Sequence, residues 1–156
     1  MKTLILYATK YGAAADIAKR IAAQIDNADI YDLKQGNIPQ LGGYDCVIVG
    51  SSVYVGAFRK EAKVFLAQNA GELSKMKLGL FICAMGESGE DEILTANVPD
   101  AVRQAANAIS VFGGVFDPAK CNFFERFIMK VVTKQSGYYS TISDEKISKF
   151  LEAMKL

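Results

Sequence analysis

Within YATKYGAAAD, residues 7–16, a hydroxyl, an ammonium and a glycine fall close together at Thr9, Lys10 and Gly12, with Tyr11 between them. Such a set suits an anion held at the start of a helix. The opening NH groups of a helix have no partner inside it, and the helix dipole adds positive potential at that end. Gly12, Ala13, Ala14 and Ala15 are small enough for a phosphate to approach the backbone. Residues 50–58, GSSVYVGAF, set the hydroxyls of Ser51 and Ser52 ahead of Val53, Tyr54, Val55 and Gly56, so that polar donors flank an aromatic on which a flat ring can stack. Residues 84–92, AMGESGEDE, offer backbone NH groups at Ala84, Met85 and Gly86 beside Glu87, while Glu90, Asp91 and Glu92 read as a solvated surface.

Other chemistries are missing. The chain has no histidine, and its cysteines, Cys46, Cys83 and Cys121, are widely spaced without a CxxC pair, so no zinc site is expected. No catalytic residue and no metal ligand is assigned. Lys and Arg total 18 against 17 Asp and Glu, and the resulting charge of +1, with no base-reading motif, argues against nucleic acid as a partner. No apolar run approaches the roughly 18 residues of a membrane span. In the N-terminal MKTLILYATKYG, Lys10 and Tyr11 stand where a signal peptide would need small residues. These features predict a cytoplasmic protein with reduced thiols.

The three binding stretches each follow an apolar, β-favouring run: residues 3–7 (TLILY), 46–49 (CVIV) and 78–84 (LGLFICA). Continuous runs of this kind suit strands buried on both faces of a parallel sheet. A fourth strand is expected over 109–116 (ISVFGGVF), and the alternating 29–33 (DIYDL) fits an edge. Helices are expected over about 14–25, with Ile17, Ile21 and Ile25 inward, over 60–68 and over 98–108 near Pro99. A last one over 144–155 takes Ser143 as its cap. Residues 34–43 are too short and broken for a helix. The alternation predicts one α/β domain over 1–156, a doubly wound five-stranded parallel sheet with helices on both faces. Ligands of such sheets bind beyond the carboxyl ends of the strands, which is where the three stretches lie. A dinucleotide fingerprint is reduced to Gly12 alone, a P-loop is absent, and Gly50-Ser51-Ser52 replaces the carboxylate of a phosphoacceptor.

Together the three loops resemble the flavodoxin family, whose phosphate loop is commonly Ser/Thr-x-Thr-Gly-x-Thr. Thr9, Lys10, Tyr11, Gly12, Ala13 and Ala14 stand in those places; the first hydroxyl and the glycine match, while Tyr11 and Ala14 replace two hydroxyls. The resemblance runs along nearly the whole chain and is most specific over YDCVIVGSSVYVGAFRKE, residues 44–61. It implies a flavodoxin-like fold with FMN as cofactor. Loop 9–14 would hold the phosphate, loop 51–56 would flank the isoalloxazine with Tyr54 stacking on it, and loop 84–88 would close the other side. A carboxylate such as Glu87 near the ring would disfavour an anionic reduced flavin.

More narrowly, residues 113–137, GGVFDPAKCNFFERFIMKVVTKQSG, are similar to the branch that contains the menaquinone-dependent protoporphyrinogen oxidases, although residues 84–100 offer a shorter insertion than that branch carries. This implies an oxidoreductase passing electrons from a reduced substrate to a quinone. The alternatives are an electron carrier serving a redox partner protein, and a flavin-free interaction module. In the expected helix 123–134, Phe124, Phe127, Ile128, Val131 and Val132 share one face, and Arg126, Lys130, Thr133 and Lys134 cluster opposite, offset only by Glu125. It is either a core helix with a solvated basic face or a helix lying peripherally on the anionic inner membrane surface.

Overall fold

The computed structural model describes residues 1–85, 89–133 and 137–156, with the backbone alone at 132 and 133. Strand β1 (Thr3–Ala8) leads through Gly12 into α1 (Ala13–Ala22), which returns to β2 (Ala28–Asp32). Two 3-10 turns carry the chain to β3 (Cys46–Tyr54), whose end folds back as a hairpin with β4 (Ala57–Phe58). Helices α2 (Lys60–Gln68) and α3 (Ala70–Leu73) precede β5 (Lys77–Cys83), and α4 (Glu90–Asn97) and α5 (Asp100–Ala105) precede β6 (Ala108–Val111). Strand β7 (Val115–Phe116), helix α6 (Phe123–Thr133) and strand β8 (Tyr139–Ser140) form an excursion before the closing helix α7 (Asp144–Met154).

The main sheet runs β2-β1-β3-β5-β6, all parallel, as expected, with the alternating β2 at an edge. Successive side chains of a strand point to opposite faces, so each apolar run feeds two layers. Leu4, Leu6, Val47, Val49, Leu78 and Leu80 meet Ala62, Phe65 and Leu66 of α2 and Val102 of α5. On the other face Ile5, Ile48 and Phe81 meet Ala14, Ile17 and Ile21 of α1 and Ile147, Phe150 and Leu151 of α7. Each such fully buried aliphatic or aromatic side chain contributes about 1.5–3 kcal/mol. Phe112 joins this layer between Phe81, 5.8 Å away and nearly parallel, and Phe150, 5.3 Å away and edge-on. Strand order turns at β1, which has β2 on one side and β3 on the other, so the crevice opens at the carboxyl ends of β1 and β3.

Four expectations change. Helix α1 ends at Ala22, so Ile25 of the expected helix 14–25 packs on the core from beyond its end. Strand β3 runs beyond 46–49 to Tyr54, because the ladder to β5 continues at Ser51 and Ser52 and the buried Ser51 hydroxyl is satisfied internally. It accepts from the Arg59 NH at 2.9 Å and donates to the Ser52 carbonyl at 3.0 Å. Residues 109–116 split in two. Gly113 takes φ 98°, a Cβ there would lie 2.2 Å from the Thr141 carbonyl oxygen, and only β6 joins the parallel sheet. The expected helix 98–108 is the shorter α5, preceded by α4, in which Glu90, Asp91 and Glu92 form the first turn after a left-handed Gly89. Carboxylates are favoured at that end of a helix, so this acidic stretch is an N-terminus as well as a surface.

Ser143 caps α7 as expected, accepting from the Lys146 NH. The excursion that precedes it closes at a neck. Thr141 NH donates to the Gly114 carbonyl at 2.9 Å, Gly114 NH to the Thr141 hydroxyl at 3.0 Å, and Ser143 NH to the Phe112 carbonyl at 3.0 Å.

Candidate functional site

The loop from β1 to α1 is shaped by its own small residues. Gly12 caps α1 with φ 99°, a left-handed conformation that suits glycine, and its NH donates to the Thr9 hydroxyl at 2.8 Å. The Lys10 NH donates to the Ser52 hydroxyl at 3.1 Å, tying this loop to β3. Lys120 reaches the Tyr11 carbonyl at 3.2 Å from the excursion, and a Cβ at Gly12 would come 3.3 Å from its ammonium nitrogen. Ala13 and Ala14 are buried against the sheet.

The second wall is the β3–β4 hairpin. Val55 and Gly56 turn it with φ of 51° and 74°, a left-handed pair normally filled by Asn-Gly. Asn97, buried at the end of α4, holds the hairpin by accepting from the Phe58 NH at 2.9 Å and donating to the Gly56 carbonyl at 3.0 Å. Tyr54 therefore stands half exposed on a fixed backbone. The third wall is Cys83, Ala84 and Met85 against Gly114, where a Cβ would lie 2.9 Å from the Met85 side chain and 3.2 Å from the Ala84 carbonyl carbon. Burial raises the Cys83 thiol far above its ordinary pKa, so it stays protonated.

These walls enclose a cavity of about 600 Å³. Of the expected site residues, Lys10, Tyr11, Ala13, Ser52, Val53, Tyr54, Val55, Ala84 and Met85 line it. Thr9, Gly12, Ala14, Ser51 and Gly56 shape the loops around it instead, and Gly86 and Glu87 lie outside the described residues, as does Lys134 of the expected basic face.

Sequence reasoning missed the fourth wall. Helix α6 lies with Glu125, Ile128 and Met129 at the cavity, beside Cys121. The Lys10 ammonium donates to Glu125 Oε1 at 2.9 Å, and the Tyr11 hydroxyl donates to Glu125 Oε2. The same ammonium sits 3.3 Å from the centroid of the Tyr54 ring. The Tyr11 hydroxyl, and then Lys10, hold the Glu125 carboxyl down at about 2. Burial works against the charge on Lys10, but hydrogen bonding to Tyr11 and Glu125 outweighs it and raises its pKa. The sequence signals where α6 starts but not which face turns inward: Asn122 and Glu125 form a capping box, the Glu125 NH donating to Asn122 Oδ1 at 2.8 Å and the Asn122 NH reaching back to Glu125 Oε2 at 3.4 Å.

With Glu125 turned inward, the opposite face of α6 is apolar and open. Phe123, Phe124, Phe127 and Val131 are 57–81 % exposed, flanked by exposed Arg126 and Lys130. The helix does not bury its apolar stripe in the core. Among the described residues no helix is long and apolar enough to cross a membrane, and no cluster of His, Cys, Asp or Glu suits a metal ion.

A doubly wound parallel sheet, with a helix N-terminus and an exposed tyrosine facing one cavity at its switch point, defines a mononucleotide-binding type of domain. The chain belongs to the flavodoxin-domain family, whose model matches residues 4–143. It is 26 % identical over 147 residues to the protoporphyrinogen IX dehydrogenase [quinone] of Leishmania major, covering 87 % of this chain and 64 % of that protein. It is 24 % identical over 148 residues to the enzyme of the same name from Escherichia coli K12, covering 88 % and 81 %. The chain thus spans just under two thirds of the first relative. Among solved structures it is similar to a flavoprotein of Lactobacillus acidophilus in complex with FMN, with a TM-score of 0.50 and 18 % identity over 72 % of this chain and 91 % of that one.

Proposed function

We propose that residues 1–156 act as one flavodoxin-like domain that binds FMN and works as an oxidoreductase, passing electrons from a reduced substrate to a quinone. The observation that carries this reading is the convergence of the α1 N-terminus, Lys10 and the Tyr54 ring on one cavity at the switch point of the sheet. The residues fit the cofactor. Gly12 and Ala13 leave the opening NH groups of α1 open to a phosphate, Tyr54 offers a ring face, and the missing side chain at Gly114 lets the Ala84–Met85 backbone close the far side. FMN, when bound, supplies one- and two-electron transfer. The protein positions the ring, excludes water and sets the local charge through Lys10 and Glu125. No side chain is assigned as a general acid or base.

The names of the two relatives support a quinone as acceptor and a porphyrinogen as donor. The exposed stripe of α6, with Arg126 and Lys130 beside it, supports peripheral contact with an anionic membrane at its cytoplasmic face, where a lipid-soluble quinone is met. The same stripe favours a second reading, in which it docks a redox partner protein and the chain is a carrier.

Flavin titration and turnover test the proposal in sequence. The purified protein should be yellow or take up FMN, with Tyr54→Ala weakening uptake; failure to bind any FMN sinks the reading. Flavin-loaded protein should then oxidise protoporphyrinogen with a menaquinone analogue. Absence of turnover would leave the carrier.

A further inference from the structure

Lys10 makes two contacts that a flavin mononucleotide would claim. Its ammonium donates to Glu125 Oε1 at 2.9 Å, an anionic partner that a phosphate can replace charge for charge. It also stands 3.3 Å from the centre of the Tyr54 ring, the face on which an isoalloxazine would stack. The Lys10 backbone is fastened by its NH to Ser52, whereas its side chain, 25 % exposed, is held only by side-chain contacts, to Glu125 and to the Tyr11 and Tyr54 rings, which an entering anion can replace without moving that anchor. Resting on the FMN site proposed above, we infer that Lys10 is a specificity-determining exchange ligand: it leaves Glu125 and the Tyr54 ring for the phosphate as the flavin enters. Riboflavin must clear the same ring face but offers the ammonium no new anion. The site therefore selects the phosphorylated flavin over the bare one, and Glu125 is the positioning residue that stores the ammonium between the two states.

The Lys10–Glu125 pair also opposes loading, because the carboxylate competes with the phosphate for one cation. A Glu125→Gln change removes that competitor and keeps the side-chain shape.

The test is a titration of the flavin-stripped full chain with FMN and with riboflavin, followed by quenching of flavin fluorescence. Wild type should prefer FMN by about tenfold or more, the range expected of one charge-assisted hydrogen bond. Lys10→Met should weaken FMN by about that factor while leaving riboflavin equal or tighter, so that the preference collapses. Glu125→Gln should tighten FMN and keep the preference. Equal losses for both flavins in Lys10→Met, or a Glu125→Gln variant with FMN affinity unchanged, would overturn the inference while the FMN reading stands. Wild type that binds no FMN would overturn both. Salt gives a check that needs no variant: raising ionic strength should weaken FMN more than riboflavin, and parallel curves would count against the exchange.

Discussion

Gly50 of β3 and Phe81 of β5 face each other in register, and the Phe81 ring fills the space where a side chain at Gly50 would stand; a Cβ there would lie 2.0 Å from Phe81 Cζ. The ring in turn stacks on Phe112 beneath the helices of that face. Gly50→Ala should therefore destabilise the fold by about 1–3 kcal/mol, the usual effect of overfilling a packed core. Urea denaturation measures it. Shortening the ring in a Phe81→Leu background should recover part of the loss, and simple additivity of the two changes would contradict the contact.

The Glu125 carboxyl, held at about 2, gives α6 an acid-sensitive attachment. Because its folded value is depressed from the ordinary value of about 4.3, the stabilisation is fully present above that pH and is lost as pH falls toward 2. The thermal midpoint of wild type should exceed that of Glu125→Gln at pH 6. The difference should shrink between about pH 4.3 and pH 2. A gap that does not change with pH would mean the attachment is not ionic.

Arg126 and Lys130 flank the open apolar stripe, and the acid of the same helix is turned into the cavity. A basic residue near an anionic lipid surface is worth about 1 kcal/mol. Reversing both charges, Arg126→Glu with Lys130→Glu, should cut flotation with phosphatidylglycerol vesicles by tenfold or more on that figure and leave neutral vesicles little affected. Equal recovery of the two proteins would remove the lipid surface as the partner of α6.

Val55 is β-branched, 88 % exposed and held at φ 51° in the hairpin turn. Left-handed backbone costs an ordinary residue about 1–2 kcal/mol, and asparagine tolerates it better. Val55→Asn makes the turn Asn-Gly and should stabilise the protein by about 1 kcal/mol, read as a rise in thermal midpoint. Strained backbone of this kind clusters at ligand sites, where the surrounding structure holds it in place. Val55 lines the cavity, so the same variant should weaken FMN uptake, and a stabilised protein with undiminished uptake would leave Val55 without a role at the site.

The strands were legible because TLILY, CVIV and LGLFICA are buried on both faces, and so was the cap of α7 at Ser143. The continuation of β3 was hidden because Ser51 and Ser52 look like a loop until the Arg59 and Lys10 backbone NH groups that satisfy them are in place. Helix α4 was hidden for a related reason: Glu90, Asp91 and Glu92 read as surface, and only the left-handed Gly89 makes them a first turn. In α6 the usual inference fails outright. An apolar stripe predicts the inward face, yet here the inward face carries Glu125 and Met129, and nothing in helical periodicity reveals that the partners of Glu125 lie more than a hundred residues earlier, at Lys10 and Tyr11.

The neck at Phe112, Gly114, Thr141 and Ser143 brings the two ends of the excursion to one point on the sheet. The described residues between them are tied to the rest of the fold a second time, by Lys120 on the Tyr11 carbonyl and by Lys10 and Tyr11 on Glu125, so the outer face of α6 can change without shifting the register of a core strand as long as those ties are kept. Such a protein can therefore be re-addressed to a new surface by rewriting the outward residues of α6 alone, while the inward Glu125 and the three strand-end loops stay as they are.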